Sequence, residues 1–187
     1  MQLAGAGQSP QHTPKRVCLM NEAAVENPTL AALRRVMRGE VPGAPIMQTL
    51  GMRIVQAEIG HVVMEMEASK HLTNPTGTLH GGIFCDLADA AMAACYLMTL
   101  GPGETYTTLE LKINFLRPVR QGNIQADARI LQRGRTVGLV ECRVVDADKN
   151  PVAHVTSTCM TLRGEQAKGR EIPSADSATP GVPKAAS

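Results

Sequence analysis

The sequence predicts an α+β domain in which one long helix lies against an antiparallel sheet. Three observations carry that prediction. Most of the chain reads as strand-period segments joined by turns of a few residues, and only antiparallel neighbours can be joined so tightly. One uninterrupted apolar segment, residues 83–99, has the length and period of a helix. The chain has 187 residues, 43% of them hydrophobic, which is the size of one ordinary domain.

The elements follow in order. Residues 1–27 mix Gly, Gln, Pro and Ala without period, and residues 166–187 are rich in Ala, Pro, Ser and Lys. Neither end buries enough to offset its ordering entropy, so both are expected to be mobile tails around a folded domain of residues 28–165. A short helix is expected over Pro28–Arg38, with Asn27 as cap, Pro28 at the first position and Gly39 as the stop. A helical turn over Pro45–Leu50 follows. Strands are then expected over residues 51–58 and 61–68, with Gly60 in the turn; Val62, Met64 and Met66 alternate with Val63, Glu65 and Glu67. After the loop of residues 71–79 and His80-Gly81-Gly82, the long helix runs to about Thr99 and stops at Gly101-Pro102-Gly103. Four strands complete the chain: residues 105–117, with Leu109, Leu111, Ile113 and Phe115 alternating against Thr108, Glu110, Lys112 and Asn114, then 123–132, 136–146 and 152–162.

Composition excludes several functions. Net charge is only +2, and there are two Phe, two Tyr and no Trp, so neither phosphate neutralisation nor base stacking supports nucleic-acid binding. No apolar run reaches the roughly 18 residues of a membrane span, and the N-terminus lacks the apolar stretch of a signal peptide. The five cysteines have no metal-ligand spacing and an odd count, which predicts reduced thiols, no metal and a cytoplasmic protein. There is no GxSxG elbow, Walker loop or GxGxxG loop.

The long helix is the most informative element. Ile83, Phe84, Leu87, Ala91, Cys95 and Met98 form a wide apolar stripe. The other side holds Ala90, Ala93 and Tyr96 with Asp86 and Asp89, the only charges between Gly82 and Thr99. A helix so poor in charge is expected to be wrapped on both sides, by the sheet and by a partner subunit. Asp86 reads either as an acid complementing the helix dipole or as a functional group. Asp89, a turn further in, reads either as a solvated residue or as a carboxylate kept for use. Gly81 and Gly82 allow close backbone approach, and the N–H groups of a helix start can hold an oxyanion. The same glycines also suit tight packing. His80 and Asn74 can serve a ligand or simply fix local structure.

The stretch Asn74-Pro-Thr-Gly-Thr-Leu-His80-Gly81-Gly82, with Asp89 nine residues after His80, resembles the hot-dog-fold acyl-CoA thioesterases of the phenylacetate-pathway (PaaI) type. The strand Thr108-Leu-Glu-Leu-Lys-Ile-Asn-Phe-Leu-Arg-Pro118 is similar to that family's third strand. The resemblance covers about residues 45–163. It implies a bent sheet wrapped around the helix, edge-to-edge dimers that often pair into tetramers, and active sites at the dimer interface. It implies Asp89 as catalytic carboxylate, as base or as nucleophile. The Gly81 N–H would face the thioester oxygen, Asn74 would help polarise it, and Thr108 would hold the attacking water, with His80 at the same helix start. No metal and no resident cofactor is implied; coenzyme A is part of the acyl-CoA substrate. Gly82, Arg117, Arg133 and Arg135 are candidates for binding coenzyme A, and Met92 and Tyr96 for the acyl pocket. A dehydratase or hydratase and a non-catalytic acyl-CoA-binding module are the alternative readings.

Overall fold

Two proline-started helices open the folded region of the computed structural model, which describes residues 27–170. The expected mobility of the tails falls on residues 1–26 and 171–187, outside the described residues. Helix α1 spans Pro28–Met37 and α2 spans Pro45–Leu50. Asn27, assigned to the tail by the sequence division, is held at both ends of its amide. Its Oδ1 accepts from Leu30 N at 3.0 Å, and its Nδ2 donates to Met98 O at 2.9 Å. Gly51 closes α2 at φ 68°, a left-handed conformation that costs glycine nothing.

The strands are β1 Arg53–Glu58, β2 His61–Ala68, β3 Thr105–Phe115, β4 Gly122–Arg133, β5 Val137–Val145 and β6 Pro151–Leu162. Between β2 and β3 runs helix α3, Gly81–Leu97. It begins two residues earlier than expected, because the His80 side chain caps it: Gly82 N donates to His80 Nδ1 at 3.0 Å. A 3₁₀ turn at Gly164–Ala167 crosses the expected domain end at residue 165.

All six strands form one antiparallel sheet in the order β1-β2-β4-β5-β6-β3. Helix α3 lies across it. Val62, Met64, Met66 and Ala68 of β2, Ile124, Ala126 and Ala128 of β4, and Val140, Cys142 and Val144 of β5 bury against the helix. This is the inward half of the two-residue alternation read from sequence. Strand β3 departs from that reading. A bulge between Thr108 and Glu110 pairs Thr108 with Cys159 and Leu111 with Ser157. Paired residues share a face, so Thr108 stands on the same side as Leu111 and Ile113, not against them. Leu109, at the bulge, is 55% exposed.

Helix α3 also departs from its wheel. Tyr96, expected on the far side, is fully buried. Its hydroxyl bonds Thr161 Oγ1 at 2.9 Å, and Tyr106 packs on its ring at 5.5 Å. Met92 is buried in the core as well. Gly138 makes room for Tyr96: a Cβ there would stand 2.6 Å from Tyr96 Cε2 and 3.0 Å from Gln132 O. Gly138→Ala should therefore cost about 1–3 kcal/mol, the scale of an overpacked core. The urea midpoint of this variant measures it; an unchanged midpoint would contradict the packing.

Candidate active site

At the start of α3 the chain builds a donor-lined pocket of about 370 Å³, bordered by Asn74, Thr78, Gly81, Phe84, Phe115 and Arg117. Asn74 organises the loop before the helix. Its Oδ1 accepts from Thr76 N (3.0 Å), Thr76 Oγ1 (2.7 Å) and Thr78 N (3.2 Å). Two backbone donors on one amide atom settle which atom is the oxygen. Its Nδ2 donates to Thr78 Oγ1 at 2.8 Å, which uses one of two amide hydrogens. Both the structural and the ligand-binding reading of Asn74 thus have a geometric basis.

Gly82 N is used by His80 and Ile83 N by the His80 carbonyl. Gly81 N makes no hydrogen bond to any described residue, and it is the helix-start N–H that lines the pocket. A Cβ on Gly81 would lie 3.0 Å from Phe115 Cζ. The Phe115 ring, edge-on to Phe84 at 6.0 Å, closes over the glycine. Sequence reading named neither ring as a pocket wall. Their spacing from Gly81 depends on β3 reaching the helix start, which is a tertiary event.

The second group of predicted residues lies mid-helix. Asp86 is exposed and Asp89 half-buried. Asp89 receives no hydrogen bond from any described residue, and burial holds its carboxyl above the ordinary carboxylate range, helped by the nearby charge of Asp86. Glu65 is the contrast. Side-chain hydrogen bonds from Gln125 and Asn123, with Arg53 beside them, hold its carboxyl below the usual range. A carboxylate kept for structure is bonded, and Asp89 is not. The Asp89 charge acts on Tyr106 and on Cys159, and β3 pairs Thr108 with Cys159 across the sheet. The bulge therefore sets Thr108, itself exposed, on the same face of the sheet as Cys159.

The two groups do not meet within one chain. Gly81 and Asp89 are eight residues apart on one helix, about 12 Å along its axis at 1.5 Å per residue. A reacting carbonyl needs its oxygen donor and its attacking water each within about 3 Å.

The arginines divide in the same way. Arg117 is exposed and borders the helix-start pocket. Arg133 is tied down beyond the other end of α3. It donates to Thr99 Oγ1 at 3.0 Å and to the Gly134 carbonyl, lies 3.6 Å from Glu104, and covers the Tyr96 ring at 4.9 Å. Arg135, on the same hairpin, is exposed, and its carbonyl accepts from Arg163 at 2.6 Å. Arg120, unnoticed in the sequence, reaches the Thr76 and Gly77 carbonyls at 3.4 Å. The thiols of Cys85, Cys95, Cys142 and Cys159 are unpaired, and burial raises each of them, Cys95 to about 12. None is poised as a nucleophile. Among the described residues no cluster has the makings of a metal site, and no helix is long and apolar enough to cross a membrane.

Comparison with known proteins identifies the family. Residues 76–153 match the family model of the thioesterase superfamily. The acyl-coenzyme A thioesterase 13 of Homo sapiens is 30% identical over 108 residues, which are 57% of this chain and 76% of that protein. The 1,4-dihydroxy-2-naphthoyl-CoA hydrolase of Listeria monocytogenes is 29% identical over 101 residues, 54% of this chain and 82% of its own. Among solved structures, a phenylacetic acid degradation-related protein of Ralstonia eutropha superposes with a TM-score of 0.63 at 33% identity, over 69% of this chain and 98% of its own.

Proposed function

Because this chain belongs to the thioesterase superfamily and is a thioester hydrolase of the hot-dog fold, we propose that it cleaves an acyl-CoA to a free acid and coenzyme A. We further propose that each active centre is shared between two copies of the chain. The observation that carries the shared centre is the helical separation of Gly81 from Asp89, about 12 Å. One copy supplies the Gly81 N–H and the remaining Asn74 amide hydrogen; the other supplies Asp89 and Thr108. Strand β3 is suited to bring two copies together. It is an 11-residue edge strand that exposes Leu109 and Phe115, and an unpaired apolar edge invites another strand. Pairing there sets the neighbour's Thr108 and Asp89 toward the first copy's helix start. A further pairing of dimers is compatible with this arrangement.

The reaction then runs on the chain's own groups. Thr108 holds a water and Asp89 takes its proton. The hydroxide adds to the thioester carbon, and the oxygen that becomes negative is held by the Gly81 N–H and Asn74. The carbon–sulfur bond breaks, and the leaving thiolate recovers the proton from Asp89. A direct attack by Asp89, forming an anhydride that water opens, uses the same atoms. Neither route calls on a metal or resident cofactor, since coenzyme A arrives with the substrate. Arg117, beside the pocket, is placed to meet its phosphates. His80 caps the helix start and orients it. Buried, unreactive thiols suit a reducing cytoplasm.

The experiment is complementation. Asp89→Asn and Gly81→Pro chains, each inactive alone, are unfolded together and refolded in equal amounts. Random pairing makes half of the dimers mixed, and each mixed dimer has one intact centre of two, so about a quarter of wild-type activity should return. No recovery, with dimers formed, would show that the centre is not shared in this way.

A further inference from the structure

We propose that the cavity between α1, α2 and α3 is the acyl pocket of this enzyme, and that it takes an uncharged aliphatic acyl chain of about eight to twelve carbons. This rests on the acyl-CoA hydrolase reading above. The cavity measures about 360 Å³, and Asp89 lies on its wall. Asp89, the proposed catalytic carboxylate, therefore borders this cavity. An acyl group whose carbonyl carbon stands at the carboxylate has this space directly beside it.

The lining defines the ligand. Leu33 and Val36 of α1 and Met47 of α2 form one wall, and Ala90, Ala93 and Ala94 of α3 form the other. Three alanines leave the space that larger side chains would fill. No aromatic ring is among the lining residues, so nothing there favours stacking on an aryl group. Asp86 and Asp89 are the charged side chains on its wall, and they would repel an acyl group ending in a second carboxylate. Methionine is adaptable and suits a flexible chain.

Size follows from packing. A dry apolar cavity of about 150 Å³ holds benzene, or about 25 Å³ per carbon, so 360 Å³ bounds the chain at about fourteen carbons. The open mouth and the carbonyl end reduce this to the range proposed. Helix α1 lies outside residues 76–153, the part matched to the superfamily.

The test is a chain-length profile of kcat/KM from acetyl-CoA to palmitoyl-CoA for wild type, Ala93→Leu and Val36→Phe, with oligomeric state measured alongside. Wild type should peak at eight to twelve carbons. Ala93→Leu adds three carbons to the pocket and displaces about as many from the ligand, so kcat/KM for decanoyl-CoA should fall at least about tenfold. Butyryl-CoA should stay within about twofold of wild type, because it ends before the added side chain. Val36→Phe should do the same from the opposite wall. Equal effects on both esters, or no effect on either, would overturn the assignment, as would a wild-type profile highest at acetyl-CoA. Should wild type cleave no ester, binding of S-decyl-CoA, a thioether, separates the two readings. Binding that weakens about tenfold in Ala93→Leu keeps the pocket and sinks the hydrolase reading; no binding sinks the pocket as well.

Discussion

Asp89→Asn is expected to lower kcat by about 10²-fold or more, the scale of a lost general base, with KM and oligomeric state little changed. Asn has nearly the same shape, and no described residue hydrogen-bonds the carboxylate, so little structure depends on its charge. Asp86→Asn should cost far less, because Asp86 is exposed and acts on Asp89 through its charge alone. It has its own signature. Burial and the Asp86 charge both raise Asp89, so the acidic limb of kcat/KM should lie above the ordinary aspartate value of 3.8, and Asp86→Asn should move it down. Stability should follow the same shift. A carboxyl whose folded pKa is raised binds its proton more tightly when folded. Its contribution to stability is present below the unfolded pKa and is lost as pH rises through the folded pKa. Asn does not ionise, so Asp89→Asn should melt no lower than wild type at pH 7, and any gain should vanish in acid. A Tm clearly below wild type at pH 7 would assign Asp89 to structure. Near-normal kcat in Asp89→Asn beside an inactive Asp86→Asn would move the catalytic carboxylate by one helical turn.

Gly81→Pro should lower kcat by about 10²–10³-fold, the usual loss on removing one oxyanion donor. The substitution deletes one N–H and sets a ring carbon against Phe115. Gly81 is the first residue of α3, where proline is well tolerated. His80 before it stands at φ −64°, ψ 137°, the conformation that a residue preceding proline prefers. Gly81→Ala is the control. It introduces the same carbon against Phe115 Cζ, and Phe115, 56% exposed, can yield by a few tenths of an ångström. It keeps the N–H, so its kcat should remain within about tenfold of wild type. Equal losses in both variants would mean that the glycine serves packing, not the oxyanion.

Much of this was legible from the chain alone, for local reasons. Asn27, Pro28 and Gly39 bracket α1 because cap and stop are short-range chemistry, and the alternation of β2, β4 and β5 survives because each strand has one buried face. The two-charge helix and the Asn74–Gly81–Asp89 spacing marked the site. The sequence did not carry the bulge at Leu109, since an inserted residue is defined only by the partner strand β6; alternation alone put Thr108 on the wrong face. Nor did it separate Arg133, which reads as a turn cation and is held by Glu104 and Thr99, from Arg117 at the other end of the helix. Met92 and Tyr96, named as candidates for the acyl pocket, are both buried, and the cavity proposed for the acyl chain lies instead beside Ala90, Ala93 and Ala94. Sequence by itself determined which residues carry charge, donors and apolar surface, because those are properties of single side chains and short spacings. Only the tertiary structure decided which of them share a pocket, because that depends on strands and helices far apart in the chain packing against one another.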